Sequence, residues 1–180
     1  MPTHNNDSKK KFLNEHFAYE VQMIIAAHQI HNAGATLFQA NQIEIVKYIW
    51  YKNIGIEGVL MHVRNLIEFY FDPVDNSGKY AKALDYLPDV WATQLEEYKK
   101  NNPNVMEVVN NIRDRTNDEI VHLGWERLNK TPLNKGWRLD DISIQFIGLA
   151  LAFINLIKAD GKYYGEGLRQ LESQIQVFYT

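Results

Sequence analysis

The sequence predicts an all-α protein, a single-domain helical bundle of five to seven helices. Apolar residues recur at spacings of three and four over long stretches, and no stretch alternates between apolar and polar residues as a half-buried strand does. The chain has 180 residues, of which 46% are hydrophobic and 23% are charged, as in one packed soluble domain. We expect residues 1–8 to be a flexible N-terminal tail and residues 9–180 to form the helical domain.

The first long helix is predicted over residues 9–32, with Gly34 as its C-cap residue. A wide apolar face supports this helix. One stripe of that face comprises Phe12, His16, Tyr19, Met23, Ala27 and Ile30.

A second long helix is predicted over residues 41–71, ending before Pro73. Gly55 and Gly58 lie in its middle and indicate a kink or a close helix crossing. The residues expected along one continuous face are Ile43, Val46, Trp50, Ile54, Val59, Val63, Ile67 and Tyr70.

The remaining helices follow from helix-start signals and apolar stripes. Residues 80–100 are predicted to hold a short helix and a longer one that begins at Pro88, and another helix is predicted over residues 105–129. Asp140 and Asp141 favour the start of an apolar helix that ends near Ala159, and a short last helix spans residues 168–178.

Composition excludes several kinds of site. The chain has no cysteine, so disulfides, cysteine-bound zinc and thiol nucleophiles are excluded. The net charge of −3 means that a role with nucleic acid must rest on a local basic patch. The N-terminus lacks the apolar segment of a secretory signal, and the most apolar run, residues 142–157, is short for a bilayer and carries Gln145 and Asn155. We expect a cytoplasmic protein without a membrane segment.

The stretch "RTNDEIVH", residues 115–122, holds the candidate site. Arg115 and His122 stand seven residues apart, so on a helix they differ by only about 20° in direction. Their side of the helix lies roughly 100° from the stripe that contains Ile112, at the edge of the core. Asp118 precedes His122 by four residues, a spacing that favours protonated imidazole. The alternative is a solvated helix face with pairs worth about 0.3–0.5 kcal/mol each.

This R-x6-H arrangement in a small all-helical protein resembles the HEPN superfamily, whose members carry R-x4–6-H. The segments "MHVRNLIEFYF" and "DEIVHLGWER" are also similar to small bacterial helical proteins of unassigned activity. The resemblance implies a metal-independent endoribonuclease of the toxin or anti-phage kind, without a cofactor, that acts as a homodimer. It places Arg115 and His122 at the catalytic positions, with RNA as the substrate and a cognate antitoxin or defence-system protein as a possible partner.

The chemistry of such a reaction suits these residue types. Attack by a 2′-hydroxyl needs a proton acceptor that works near neutral pH, which histidine supplies, and arginine stabilises negative charge growing on the phosphate. Two copies of the motif across a two-fold axis would share one groove. Thr116, however, stands where the family often has Asn, Asp or His. The alternative is therefore a catalytically inactive HEPN-like module that binds a partner protein or a nucleotide.

Two further groups of residues are candidates for supporting this site. Arg64 and Asn65 would face the His122 helix and orient its polar groups, unless Arg64 simply pairs with Glu68. The basic residues Arg127, Lys130 and Arg138 follow the predicted helix, and Trp125 and Trp137 bracket the loop; together they would bind phosphates and stack a base. The structural alternative is that these cations complement a helix C-terminus and the tryptophans fill the edge of the core.

The pair His28 and His31, in "HQIH", has a spacing that metal ligands use. The sequence offers no evident third ligand beside them. Their apolar surroundings favour histidines of a core or an interface, and we expect no metal site.

Overall fold

Helices make up most of the computed structural model, which describes residues 4–74, 77, 79–116 and 137–180; these residues contain no strand. The predicted all-α helical bundle is confirmed. The helices are α1 (Asn6–Phe12), α2 (Ala18–Gln39), α3 (Ile45–Phe71), α4 (Pro88–Asn101), α5 (Val105–Thr116 in its described part), α6 (Leu139–Asp160) and α7 (Glu166–Phe178).

A π-helical segment, Leu13–Phe17, joins α1 to α2 without a break. The long helix begins at Asn6, before the expected residue 9, because the Asn5 side chain accepts a hydrogen bond of 2.8 Å from the backbone N–H of Ser8. This side chain satisfies one of the unpaired amides at the helix start, which extends the helix into the expected tail.

Gly34 does not cap a helix. It lies within α2, which continues to Gln39, so the predicted helix end was wrong. A Cβ atom at Gly34 would clash with the side chain of Tyr51 on α3, and Gly55 and Gly58 of α3 lie equally close to α2. The three glycines let the two helix backbones approach each other, and the close crossing predicted for α3 is confirmed.

The apolar residues of α3 form two faces and not the one continuous face that was expected. Val59, Val63, Ile67 and Tyr70 are fully buried, whereas Val46, Trp50 and Ile54 are more than half exposed. The five steps from Ile54 to Val59 advance about 500° around the helix, so the second stripe points roughly 140° away from the first. Only the C-terminal half of α3 therefore enters the core.

A group of aromatic rings from four segments occupies the centre of the core. Phe17, Phe69, Tyr70, Trp91 and Phe153 lie with neighbouring ring centroids 5.2–6.1 Å apart. The indole N–H of Trp91 donates to the backbone oxygen of Tyr70 at 3.1 Å, which pairs a polar group in the core. These contacts join the long first helix to α3, α4 and α6.

Among the described helices, α6 alone is long and apolar enough to cross a membrane, and half of its most apolar window is buried inside the protein. It packs against α2, α3 and α7. Two acids, Asp140 and Asp141, lie in its first turn as predicted, and Gly161 ends it in the left-handed conformation at φ 75°. These contacts are those of a central core helix.

The side chain of Asn14, in the π-helical segment, holds the start of α7 against the first helix. Its amide donates to the backbone oxygens of Lys10 at 2.8 Å and Tyr163 at 3.1 Å, and its oxygen accepts from the N–H of Leu168 at 3.2 Å. Gly167 lies directly against the Asn14 backbone, where a Cβ would clash with the carbonyl oxygen. We call this arrangement the Asn14 clasp.

Candidate functional site

Four of the predicted site residues belong to the described part of the chain. Arg115 lies in the last turn of α5, Arg64 and Asn65 lie on α3, and Arg138 precedes α6. The predicted residues outside the described part are His122, Asp118, Arg127 and Lys130.

Arg115 lies over the ring of Trp137, with 3.6 Å between its guanidinium carbon and the ring centroid. Both residues are partly buried. The contact joins the motif arginine to the tryptophan that follows the basic segment, although 22 positions separate them in sequence. The face of an indole ring attracts a guanidinium cation, so this contact positions the Arg115 side chain.

Thr116 follows Arg115 and is fully buried. It continues the core stripe of α5, which also contains Val105, Val109 and Ile112. Its hydroxyl has no hydrogen-bond partner among the described residues. The residue that departs from the HEPN pattern therefore contributes a methyl group to the core, and the position points away from solvent.

Asp72 connects α5 to the end of α3 and to the segment before α4. Its two carboxylate oxygens pair with the guanidinium of Arg113 and with the Lys82 ammonium, the latter at 3.2 Å. Lys82 is only 8% exposed and also donates to the Glu68 carbonyl at 3.0 Å. This network positions α5, and with it Arg115. Sequence reasoning missed it because its members lie up to 41 positions apart with no local spacing to mark them.

Arg64 pairs with Glu68 at 3.7 Å, four residues further along α3, as in the structural alternative. Asn65 donates to Glu20 of α2 at 3.0 Å, and His62 bonds the same carboxylate oxygen at 2.7 Å. Asn65 thus contributes to a polar cluster between α2 and α3. In the described structure, the contacts of Arg64 and Asn65 are with these residues.

A cavity of about 330 Å³ opens beside this polar cluster. Aromatic side chains, including Phe12 and Phe69, form part of its wall, and His16, Glu20 and Lys82 add polar groups. Lys82 reaches both the cavity and Asp72, so the cavity and the α5-positioning network share one residue.

Arg138 is 87% exposed and pairs with Asp141 at 2.5 Å in the first turn of α6. A pair this exposed contributes little to stability because water screens it. Arg138 follows Trp137 directly in the sequence.

His28 is buried and bonds the side chain of Asn32 at 2.9 Å. Burial lowers the pKa of His28 below its usual 6.5, against the opposing effect of Asp140 at 3.5 Å and with a smaller lowering by His31. The described residues contain no group of three or more His, Cys, Asp or Glu placed to hold a metal ion. His28 packs on the ring of Phe178, as expected of a core histidine.

The structure places the guanidinium of Arg115 on the ring of Trp137, and Arg138 follows Trp137 in the sequence. Such a group can bind a phosphate and stack a base. Comparison of the chain with protein-family models, with curated proteins and with solved structures finds no match.

Proposed function

We propose that this protein is a HEPN-like, metal-independent endoribonuclease of the toxin or anti-phage kind. It would act on RNA in the cytoplasm, with a cognate antitoxin or another defence protein as its partner. The observation that supports the proposal is the contact of Arg115 with Trp137. It joins the arginine of the R-x6-H motif to an aromatic ring suited to a nucleotide base.

In the proposed reaction the 2′-hydroxyl of one nucleotide attacks the adjacent phosphorus atom. His122 accepts the hydroxyl proton or protonates the leaving 5′-oxygen, and Arg115 stabilises the charge on the phosphate oxygens. The products are a 2′,3′-cyclic phosphate and a 5′-hydroxyl. Trp137 stacks a flanking base, and Arg138 binds a neighbouring phosphate.

The decisive experiment compares RNA cleavage in EDTA by the wild type and by the His122→Ala and Arg115→Ala variants. His16→Ala is the matched control, because it also removes a histidine, but one that lines the cavity at the α2–α3 polar cluster and has no role in the proposed reaction. We expect the two motif variants to lose at least about 100-fold in rate and His16→Ala to keep the wild-type rate. An RNA with a single 2′-deoxynucleotide at the cleavage position should resist all four proteins.

Growth arrest on expression provides a second readout for the same variants. Wild type and His16→Ala should arrest growth, and His122→Ala should not. Equal inertness of all proteins towards RNA and growth, or cleavage that survives His122→Ala, would refute the catalytic assignment.

The burial of Thr116 favours a second candidate, a catalytically inactive HEPN-like module that binds a partner protein or a nucleotide. A buried threonine cannot offer the polar group that the family often places beside the motif arginine. For such a module, the wild type would bind a nucleotide or a partner without cleaving RNA, and Arg115→Ala would weaken nucleotide binding.

A further inference from the structure

The antiparallel pair formed by the end of α2 and the start of α3 extends beyond the core. The structure describes every residue from 29 to 54, and Gly34 alone among them is buried. The two helices contact each other through Gly34 and Tyr51 and through the stacked rings of Phe38 and Tyr48, whose centroids are 4.7 Å apart. The pair is therefore held together internally, and most of its residues are exposed.

The outer side of α3 in this pair is apolar. Fourteen large apolar side chains of the described chain are exposed, and five of them fall within ten residues of α3. These five, which we call the α3 face, are between 45% and 60% exposed: Ile45, Val46, Ile49, Trp50 and Ile54.

The direction of the α3 face follows from helix geometry. Tyr51 and Gly55 contact α2, and at 100° per residue the five apolar side chains lie roughly 80–160° away from that direction. The face thus points outward, opposite to α2. Its side chains form one contiguous patch and are not scattered singly, and patches of this kind mark interaction sites.

We propose that a second copy of this chain covers the α3 face, forming a homodimer in which two α3 helices pack antiparallel. The exposed area supports this occupant. Five half-exposed side chains leave on the order of 500 Å² of apolar surface. Complete burial of the face in two copies removes roughly 1,000 Å², before flanking residues are counted, and this is the lower limit for a specific interface.

Charge supports a second copy as well. The charged residues beside the face are Glu44, Lys47, Lys52 and Glu57, two acids and two bases, so the segment has no net charge. A neutral face does not repel an identical one. A partner with a strongly charged surface would gain nothing from it.

One register brings opposite charges together and keeps Trp50 against an apolar side chain. In an antiparallel pair with its two-fold axis near residue 52, Trp50 meets Ile54 of the second copy, and Lys47 meets Glu57 of the second copy. Each contact occurs twice by symmetry. Trp50, the most exposed member of the face, is the expected centre of the binding energy.

The resemblance to HEPN proteins implies a dimer around the R-x6-H motif and specifies nothing about this surface. The α3 face lies at the other end of α3 from Asp72, with Trp50 roughly 33 Å along the helix from that residue. The proposal therefore does not rest on the proposed ribonuclease function. Loss of RNA cleavage in a variant that remains dimeric bears on the site alone.

Sedimentation velocity of the full-length chain over a range of concentrations tests the dimer. We expect the wild type to be dimeric at micromolar concentrations and Trp50→Ala to raise the dissociation constant at least about 30-fold. Val46→Asp should give monomers. Val90→Asp is its matched control, because Val90 is equally exposed in the first turn of α4 and should leave the dimer intact. Far-UV circular dichroism confirms that each variant is folded.

Charge reversal tests the register. Lys47→Glu and Glu57→Lys should each weaken the dimer, and the double variant should restore it. The chain lacks cysteine, so Asn53→Cys, next to Ile54 of the α3 face, also provides a clean cross-linking site, with Ala92→Cys as the control on α4. A short bismaleimide should link two Asn53→Cys chains and leave Ala92→Cys chains unlinked.

A wild type that stays monomeric at these concentrations overturns the proposal, whatever else covers the face. Equal dissociation by Val46→Asp and Val90→Asp overturns it too. A dimer that survives Trp50→Ala and Val46→Asp unchanged places the interface elsewhere and rejects the α3 face.

Discussion

Replacing Gly55 with alanine tests the close crossing of α2 and α3, and Gly148→Ala is the matched control. Both glycines lie inside long helices, where alanine is intrinsically favoured by about 1 kcal/mol. They differ in their surroundings. A Cβ at Gly55 would lie 2.5 Å from the Cβ of His31 and 2.9 Å from the backbone oxygen of Ala27, whereas a Cβ at Gly148 would meet only the Tyr179 hydroxyl at 3.5 Å.

The magnitude follows from these distances. Ordinary van der Waals contact begins at 3.4 Å, so the new methyl group at Gly55 is about 0.9 Å too close to His31 and about 0.5 Å too close to Ala27. The Ala27 oxygen belongs to the α2 backbone and cannot turn away, so the helices must separate. Overpacking costs about 1–3 kcal/mol, and two contacts this short, one with backbone, place Gly55→Ala at about 2–3 kcal/mol, which exceeds the gain of about 1 kcal/mol in helix propensity. We expect Gly55→Ala to lose about 1–2 kcal/mol and Gly148→Ala to gain about 0.5–1 kcal/mol.

Urea denaturation and calorimetry measure the difference. For a chain of this size 1 kcal/mol corresponds to about 2–4 °C, so the midpoints of the two variants should differ by about 5–10 °C. Protein concentration is kept equal, because dimerisation stabilises the folded state by mass action. If Gly55→Ala is as stable as Gly148→Ala, the backbones of α2 and α3 do not approach as described.

Three further perturbations have expected outcomes. Asp72→Ala removes the carboxylate beside the buried Lys82 ammonium and should lower the free energy of unfolding in urea by about 2–3 kcal/mol. Lys82→Met should lower it less, because no buried charge is left unpaired. The reverse order would show that Asp72 does not stabilise the buried ammonium. Burial lowers the pKa of His28 below 6.5, so the unfolded chain takes up this proton more readily than the folded one. The stability contribution of His28 is complete above pH 6.5 and falls as the pH drops through 6.5 towards the folded pKa. The urea midpoint of His28→Gln should therefore depend less on pH than that of the wild type between about pH 7.5 and about pH 5. Gly167→Ala forces a methyl group onto the Asn14 backbone and should destabilise the protein more than Gly55→Ala. The rate of amide hydrogen exchange should increase most in α7. An unchanged exchange rate in α7 would argue against the Asn14 clasp.

The helices could be predicted from the sequence because their signals are local. Pro88 begins α4, and two acids open α6, each through groups within one helical turn. Gly34 misled the prediction for a physical reason. Glycine serves equally as a helix cap and as a place where another backbone approaches, and only the position of Tyr51 distinguishes the two uses.

The candidate site was less accessible to sequence reasoning because its contacts are not local. Spacing alone indicates that Arg115 lies at the edge of a core stripe, and its partial burial agrees with that position. The stacking of Arg115 on Trp137 joins residues 22 positions apart, which no helical period reports. Likewise, the spacing of Val46, Trp50 and Ile54 indicates an apolar side of α3 but does not distinguish burial in the chain's own core from exposure.

The Asn14 clasp has a consequence for the order in which the protein folds. Asn14 bonds groups 149 and 154 positions further along, so the clasp closes a loop that contains most of the chain. Closing so long a loop carries a large entropic cost that local helix formation does not, and the docking of α7 is expected to follow the pairing of α2 with α3. In pulse-labelling hydrogen exchange, the amides of α7 should therefore gain protection after those of the α2–α3 pair.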